Sequence, residues 1–184
     1  LADESGASVS ESAEIRYRLY QFQNESGRLS DAYGGLRTLI DALYHEAPDS
    51  SHLTFLYHDL AYVSVELGDC DTSEAWYRAV AQQVKESSGK DSGDYAEVIN
   101  NLAMTLLRQN LPDLAESFVQ EGRAVREKEF GDDRPEVANS LCSLGFLHFV
   151  RGEFASAVQE YQKALAIQKT FFGTTDHIAP AFTL

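Results

Sequence analysis

Apolar residues recur along the chain at the spacing of one face of a helix. The clearest stripes lie within residues 137–148 and 154–165. The first comprises Val137, Leu141, Leu144, Gly145 and His148, and the second comprises Phe154, Ala157, Val158, Tyr161, Ala164 and Leu165. Both stripes follow the 3.6-residue period of an α-helix. The pattern predicts a pair of amphipathic helices in which these positions are packed.

The stripes repeat at a fixed interval along the chain. Three pairs of equivalent positions, Leu102 and Leu144, Ala115 and Ala157, and Gly131 and Gly173, are each separated by 42 residues. Self-similarity of this kind indicates an array of helical hairpins. We predict repeats over about 13–46, 54–88, 96–131 and 138–173, the start of a fifth first helix over 177–184, and a flexible lead-in over 1–12.

Small residues and turn residues support the hairpin interpretation. Ala103 or Gly145 on a first helix, facing a small residue such as Ala157 on the second, lets two backbones approach closely. Pro135 suits the first turn of a helix, and Gly131 suits the position just after the end of one. The hairpins are therefore expected to be tightly packed and sharply bounded.

Three runs of sequence resemble one known family, the tetratricopeptide repeat, in the long form found in kinesin light chains. The inter-repeat junction of that family resembles Phe130-Gly131-Asp132-Asp133-Arg134-Pro135-Glu136-Val137-Ala138-Asn139-Ser140-Leu141. Its two helix cores resemble Asn100-Asn101-Leu102-Ala103 and Tyr161-Gln162-Lys163-Ala164-Leu165-Ala166-Ile167. The resemblance implies an all-α fold, a right-handed solenoid of helical hairpins whose first helices line a concave groove. It also implies a scaffold that binds a peptide or a partner protein and forms part of a larger protein.

The groove positions that this resemblance implies are counted from the close-packed small residue of each first helix. They are Glu14, Tyr17, Gln21 and Glu25 in the first repeat; Phe55, His58, Asp59, Tyr62 and Glu66 in the second; Glu97, Asn100, Asn101, Met104 and Arg108 in the third; and Asn139, Cys142, Ser143, Phe146 and Phe149 in the fourth. Asparagine amides can bind the backbone of an extended peptide, and aromatic side chains can hold its apolar anchors. The alternative for each aromatic residue is that it packs against the neighbouring repeat.

Charge narrows the choice of partner. The net charge is −14, which repels phosphate backbones and anionic lipid, so we expect neither nucleic acid nor membrane as a partner. Family members that hold acidic peptide tails use groove cations, whereas Asp59 and Glu97 lie at two of the corresponding positions here and would repel a carboxylate. We therefore expect a ligand with apolar and basic anchors.

The sequence offers no pattern typical of catalysis or of a cofactor site. It lacks the phosphate-binding, dinucleotide-binding, HExxH and GxSxG motifs. His45, His52 and His58 are too widely spaced for a zinc site without a fourth donor, and His148 lies at a position typical of a packed aromatic. Cys142 is the one nucleophile to examine. We expect no enzyme activity, no cofactor and no metal.

The remaining expectations concern the cellular location of the chain, its relation to a longer protein and its alternative functions. Cys70 and Cys142 have no CxxC partner, which favours reduced thiols and a cytoplasmic location, although an exported mature form stays open. The chain begins without methionine, from which we expect a fragment or a processed product. Three other functions stay open: a regulatory sensor module of a multidomain protein, a self-association module, and the helical support of an enzyme whose catalytic residues lie elsewhere.

Overall fold

The computed structural model describes residues 26–46 and 51–172, together with Tyr17, Tyr20, Gln21 and Gln23. The predicted lead-in over 1–12, the predicted fifth first helix over 177–184, and Glu14 and Glu25 lie outside the described residues. The described part of the chain is helical, with the helices α1 (Leu29–Glu46), α2 (Ser51–Glu66), α3 (Cys70–Ser87), α4 (Gly93–Arg108), α5 (Pro112–Phe130), α6 (Pro135–Val150) and α7 (Phe154–Phe172). It divides into two compact units, Leu1–Gln83 and Val84–Leu184.

The first unit is built around the contact between α1 and α2. Leu36 and Leu39 of α1 pack with Leu56 and Leu60 of α2 in a buried apolar cluster, which also contains Tyr20. Beside this cluster, the ring of Tyr57 stacks on that of Trp76, with centroids 4.8 Å apart. The apolar stripes of these helices therefore face one another, as their sequence spacing requires.

In the second unit, α4 packs against α5, α5 against α6, and α6 against α7, while α4 also contacts α6. Two hairpins, α4–α5 and α6–α7, therefore stack so that their first helices lie side by side. Residues at the hairpin contacts are small or apolar and fully buried, such as Ala103, Ala115 and Leu102. This packing buries these small and apolar contact residues against the helix that is the neighbour in sequence.

The helix ends match the turn residues that the sequence provides. Gly131 follows α5 with φ of 81°, and its N–H donates to the Glu127 carbonyl at 3.0 Å. Few residues other than glycine adopt this conformation without strain. Pro135 occupies the first turn of α6. At the start of α4, the Ser92 hydroxyl oxygen accepts a hydrogen bond from the Tyr95 N–H at 3.2 Å.

The close approach predicted at Gly145 is confirmed. A Cβ atom added there would lie 2.9 Å from Cε1 of Tyr161, so the tyrosine ring rests directly on the α6 backbone. The prediction that all the apolar positions of α7 are packed is wrong in part. Ala157 and Ala164 are buried, whereas Phe154, Val158 and Leu165 are exposed, since these three lie at the edge of the stripe and the two alanines at its centre of contact with α6.

Candidate functional site

One side of the second unit holds a pocket with a volume of about 700 Å³. Most of its lining comes from α4 and α6, with additions from the last turns of α5 and from α7. The lining residues are Ser92, Gly93, Asp94, Glu97, Asn100, Asn101, Met104, Arg108, Arg126, Glu129, Phe130, Glu136, Asn139, Cys142, Ser143, Phe146 and Tyr161. A pocket of this size accommodates several side chains of a ligand.

Polar side chains occupy the middle of the pocket. The Ser143 hydroxyl lies 2.8 Å from Asn100 Oδ1 and 3.2 Å from the Asn139 carbonyl, so it can donate to either oxygen and connects α6 to α4. Asn101 and Asn139 also line the pocket, and the Asn139 side chain is exposed. Each amide carries both donors and an acceptor, which is the complement that an extended backbone presents.

Met104 and Phe146 form what we call the apolar end of the pocket. They occupy equivalent positions, 42 residues apart, on the two first helices, and both are half-buried. Phe146 stacks on Phe149 with ring centroids 6.2 Å apart, and Phe149 meets the edge of Phe154 at 5.7 Å. Phe146 therefore connects the apolar end of the pocket to two aromatic rings outside its lining.

Four carboxylates form what we call the acidic end of the pocket: Asp94, Glu97, Glu129 and Glu136. Arg126 lies at the same end and is only 6% exposed, with its Nη1 donating to Ser140 Oγ at 3.0 Å. Burial lowers the pKa of this guanidinium, and the charges of Glu97 and Glu136 act in the opposite direction. Oε2 of Glu136 is buried and has no hydrogen-bond partner among the described residues.

Cys142 forms part of the pocket wall beside Tyr161. Burial raises the pKa of the Cys142 thiol to about 11, and both burial and Cys142 itself raise the pKa of Tyr161. At neutral pH the thiol is therefore protonated and is a poor nucleophile. Cys142 also packs with Ala138 and Leu141, so its local role is that of a small wall residue.

The structure brings together most of the groove residues counted for the third and fourth repeats. Glu97, Asn100, Asn101, Met104, Arg108, Asn139, Cys142, Ser143 and Phe146 all line the pocket. Phe149 does not; its side chain is 53% exposed and contacts other rings. Sequence reasoning missed two acids on first helices, Asp94 and Glu136, and four residues on second helices, Arg126, Glu129, Phe130 and Tyr161. One signal for Tyr161 was available, because Gly145 leaves room for a large ring opposite it.

The groove residues counted for the second repeat lie in the first unit. Phe55 and Tyr62 are exposed, and the His58 ring meets the edge of Tyr77 with centroids 5.4 Å apart. His58 Nδ1 lies 3.6 Å from Asp59 Oδ1, and Oδ2 of Asp59 is buried without a hydrogen-bond partner among the described residues. A binding role for these residues stays a prediction.

Tyr17 and Gln21, counted for the first repeat, also belong to the first unit. Gln21 is exposed, and Tyr17 packs against Tyr20 with ring centroids 5.6 Å apart. Tyr20 is buried, and its pKa is raised by burial first and then by Asp59, Tyr17 and Tyr62. Tyr17 therefore contributes to packing around Tyr20, and a binding role for it or for Gln21 stays a prediction.

Two features of the described residues bear on other functions. Every described helix is too short or too polar to cross a membrane. The same residues contain no group of three His, Cys, Asp or Glu side chains arranged to hold a metal ion.

The chain matches the family described as Tetratricopeptide repeat over residues 53–128 and 101–170, which together exceed half of its length. It is 25% identical over 134 residues to human tetratricopeptide repeat protein 23, covering 71% of this chain and 29% of that protein. It is 29% identical over 86 residues to the secreted RxLR effector protein RXLR-C07 of Plasmopara halstedii, covering 47% of this chain and 26% of the effector. The chain thus spans less than a third of either relative.

Two solved structures have a similar fold. BtubC (BKLC) from P. vanneervenii superposes with a TM-score of 0.76 at 19% identity, covering 96% of this chain and 71% of that one. Kinesin-light-chain TPR-like repeats from Podosopora anserina superpose with a TM-score of 0.65 at 13% identity, covering 90% of each chain. The identities are too low to carry function across, but these likenesses confirm the predicted all-α helical-repeat solenoid.

Proposed function

Because this chain belongs to the tetratricopeptide repeat family, whose repeats generally mediate protein–protein interaction, we propose that it binds an extended segment of a partner protein in the pocket lined by α4 and α6. The observation that carries the proposal is the combination of side chains in the lining. The amides of Asn101 and Asn139 lie beside Met104 and Phe146. Amides can pair with the free N–H and C=O groups of an extended backbone, and apolar side chains can hold its anchors.

The same lining supports binding without catalysis. Cys142 is the nucleophile to consider, and a pKa of about 11 keeps its thiol protonated at neutral pH. Asn100 and Ser143 are engaged with one another across the two helices, which orders the floor of the pocket. We assign the chain the role of a non-catalytic interaction module, with no cofactor.

Selection of peptides tests the proposal directly. A display library of random unstructured peptides is screened against the purified chain, and enriched peptides are remade and measured by fluorescence anisotropy. Phe146→Ala is expected to weaken binding at least tenfold, because central aromatic anchors dominate such interfaces. Asn101→Ala is expected to weaken it severalfold, the scale of a lost hydrogen bond.

A matched control separates the pocket from the rest of the surface. Leu114 of α5 is 55% exposed and does not line the pocket, so Leu114→Ala should leave peptide binding unchanged. Circular dichroism must show equal helicity in all variants. Enriched peptides that bind Phe146→Ala and Asn101→Ala as tightly as the wild type would place the binding surface elsewhere and contradict the proposal.

The sequence-based alternatives stay predictions. Light scattering across micromolar concentrations tests self-association, since a monomer throughout that range excludes it. An output domain in the full-length protein would favour the sensor module, and the cytoplasmic location requires localisation of that protein in cells.

A further inference from the structure

The pocket of the second unit changes chemically from one end to the other. Equivalent residues of α4 and α6 line it in the same order, Asn101 with Ser143 and then Met104 with Phe146. The two first helices therefore run along the pocket in the same direction. Their beginnings, with the last turn of α5, supply the acidic end, and residues further along them supply the apolar end.

Stabilisation of the helices explains the positions of only two of the four carboxylates at the acidic end. Asp94 and Glu136 lie in the first turns of α4 and α6, where a carboxylate favours the helix dipole. Glu129 lies in the last turn of α5, where a carboxylate is unfavourable, and Glu97 lies beyond the first turn of α4. Two of the four acids are thus placed without benefit to their own helices.

The negative charges at the acidic end also exceed the positive charge beside them. Arg126 is the cation of the lining here, and its charge offsets part of that of Glu97 and Glu136. Oε2 of Glu136 is buried without a hydrogen-bond partner among the described residues, a condition that normally costs stability. A cation entering the acidic end from the pocket would supply the missing positive charge.

We infer that the pocket recognises a segment in which a lysine or arginine side chain enters the acidic end while an apolar side chain occupies the apolar end. This inference rests on the proposed function and specifies the ligand of the same pocket. Charge complementarity selects the basic side chain, because like charges across an interface are strongly disfavoured. An acidic segment would meet Asp94, Glu97 and Glu129 and is rejected.

The geometry of the helices sets the spacing of the two anchors. Glu97 and Met104 are seven residues apart on α4, a rise of roughly 10 Å along the helix. An extended segment advances roughly 3.3 Å per residue, so about three residues cover this distance. The recognised pattern is therefore a basic residue and an apolar residue about three positions apart.

The test uses the enriched peptides from the display experiment. Each is remade with citrulline in place of arginine, or norleucine in place of lysine, so that the charge is lost while the aliphatic stem of the side chain is kept. Affinity is measured by fluorescence anisotropy on the wild type, on the Glu97→Gln/Glu129→Gln double variant, and on Asp132→Asn. Asp132 is an exposed acid that lines a separate depression with Arg123 and Lys163, so it serves as the matched control.

The neutral peptides are expected to bind the wild type roughly tenfold more weakly, the scale of two partly exposed charge pairs. On the double variant, the difference in affinity between charged and neutral peptides should shrink severalfold, with Asp94 and Glu136 accounting for what remains, and Asp132→Asn should behave as the wild type. Inserting glycines between the two anchors should weaken binding progressively.

The outcomes separate this inference from the proposed function. If charged and neutral peptides bind the wild type equally, the basic anchor is wrong, while weaker binding to Phe146→Ala would still support the pocket. If binding survives Phe146→Ala and Asn101→Ala, or if no peptide is enriched, the proposed function itself fails.

Discussion

The hairpins α4–α5 and α6–α7 occupy equivalent positions in the repeat, yet their helices make close contact in different ways. In α6–α7, Gly145 lies under the ring of Tyr161 and has no room for a methyl group. In α4–α5, Ala103 and Val119 occupy the same two positions and are both buried. A larger residue on one helix is thus matched by a smaller one on the other. The packing requirement concerns the combined volume at the contact, since protein interiors are close-packed.

The second close contact shows the opposite arrangement. In α4–α5 the glycine is on the second helix, where a Cβ at Gly122 would lie 3.3 Å from the Ala96 carbonyl oxygen. The equivalent residue in α6–α7 is Ala164, which is buried against Ala138 and Leu141. Each hairpin therefore has one close contact at a glycine. The glycine lies on the first helix in α6–α7 and on the second helix in α4–α5. The 42-residue period fixes where the two helices of a hairpin come close. The size of the facing residue then determines whether glycine or alanine fits at that position.

The hairpins differ most in charge. Arg126 of α5 and Gln168 of α7 occupy equivalent positions, and both side chains are at least nine-tenths buried. Arg126 lies at the acidic end of the pocket and donates to Ser140, so its buried charge has partners on α6. A buried cation is costly unless it is compensated, which makes the α4–α5 hairpin dependent on the carboxylates around it.

Replacing Arg126 is expected to have the largest effect on stability. Arg126→Ala removes the donor to Ser140 and leaves the half-buried Glu136 without a compensating charge, so we expect the free energy of unfolding to fall by about 3 kcal/mol. Arg126→Gln introduces the residue of the other hairpin and should cost less, because an amide can still bind Ser140. Urea denaturation measures both, with the matched change Gln168→Ala as control.

Two results would break this part of the comparison. Equal losses for Arg126→Ala and Arg126→Gln would mean that an amide recovers neither the packing nor the hydrogen bond to Ser140, and that the lost positive charge accounts for the whole effect. A loss for Gln168→Ala as large as that for Arg126→Ala would mean that the buried charge adds nothing to the role of the position.

Gly145→Ala is expected to have an intermediate effect. The added methyl group collides with Tyr161, and overpacking outweighs the gain in helix propensity, so we expect a net loss of about 1 kcal/mol. In the Tyr161→Val variant, which copies the contact of the other hairpin, the same Gly145→Ala change should stabilise the protein by about 1 kcal/mol. A double-mutant cycle in urea measures this reversal of sign.

Ala103→Gly in the other hairpin is the matched control for Gly145→Ala. It should cost at least about 1 kcal/mol, because it adds backbone freedom in a helix and removes a buried methyl group. If Gly145→Ala destabilises both the wild type and the Tyr161→Val variant, the two contacts are not interchangeable and the volume argument is wrong.

The fold could be predicted from sequence because the 42-residue interval and the small residues at helix contacts constrain the same architecture. Most of the first-helix lining of the pocket was predicted as well, since counting from a close-packed residue determines which side chains face away from the hairpin, but Asp94 and Glu136 in the first turns of those helices were not counted. Arg126 and Tyr161 were missed because they belong to second helices, where an apolar stripe says that a residue is packed without saying what it packs against.

The sequence of the α6–α7 hairpin alone did not predict which of its apolar side chains are exposed. Phe149 and Leu107 occupy equivalent positions, but Leu107 is 2% exposed and Phe149 is 53% exposed. Burial at this position therefore depends on the surroundings of the helix as well as on its own pattern.

The smallest expected effect concerns the ion pairs that connect the two hairpins. Arg151, just after α6, donates to Asp113 at 2.9 Å and to Glu116 at 2.8 Å, both in the first turns of α5. Arg151→Gln should lower Tm at pH 7 by no more than about 3 °C, because partly exposed pairs contribute little. The equivalent face of α7 carries Val158 in place of Glu116, so Val158→Ala should leave this junction intact.

The pH dependence of the Tm difference between Arg151→Gln and the wild type shows whether the charge of Arg151 causes it. The hydrogen bond from Arg151 and its charge lower the pKa of Glu116, so the stabilisation is fully present above the ordinary carboxyl pKa of about 4.3. It is lost as the pH falls through the lowered value and the carboxylate takes up a proton. The Tm of Arg151→Gln should therefore approach that of the wild type in acid, as followed by circular dichroism. A Tm difference that stays constant down to about pH 2 would assign the effect to packing of the arginine stem and not to its charge.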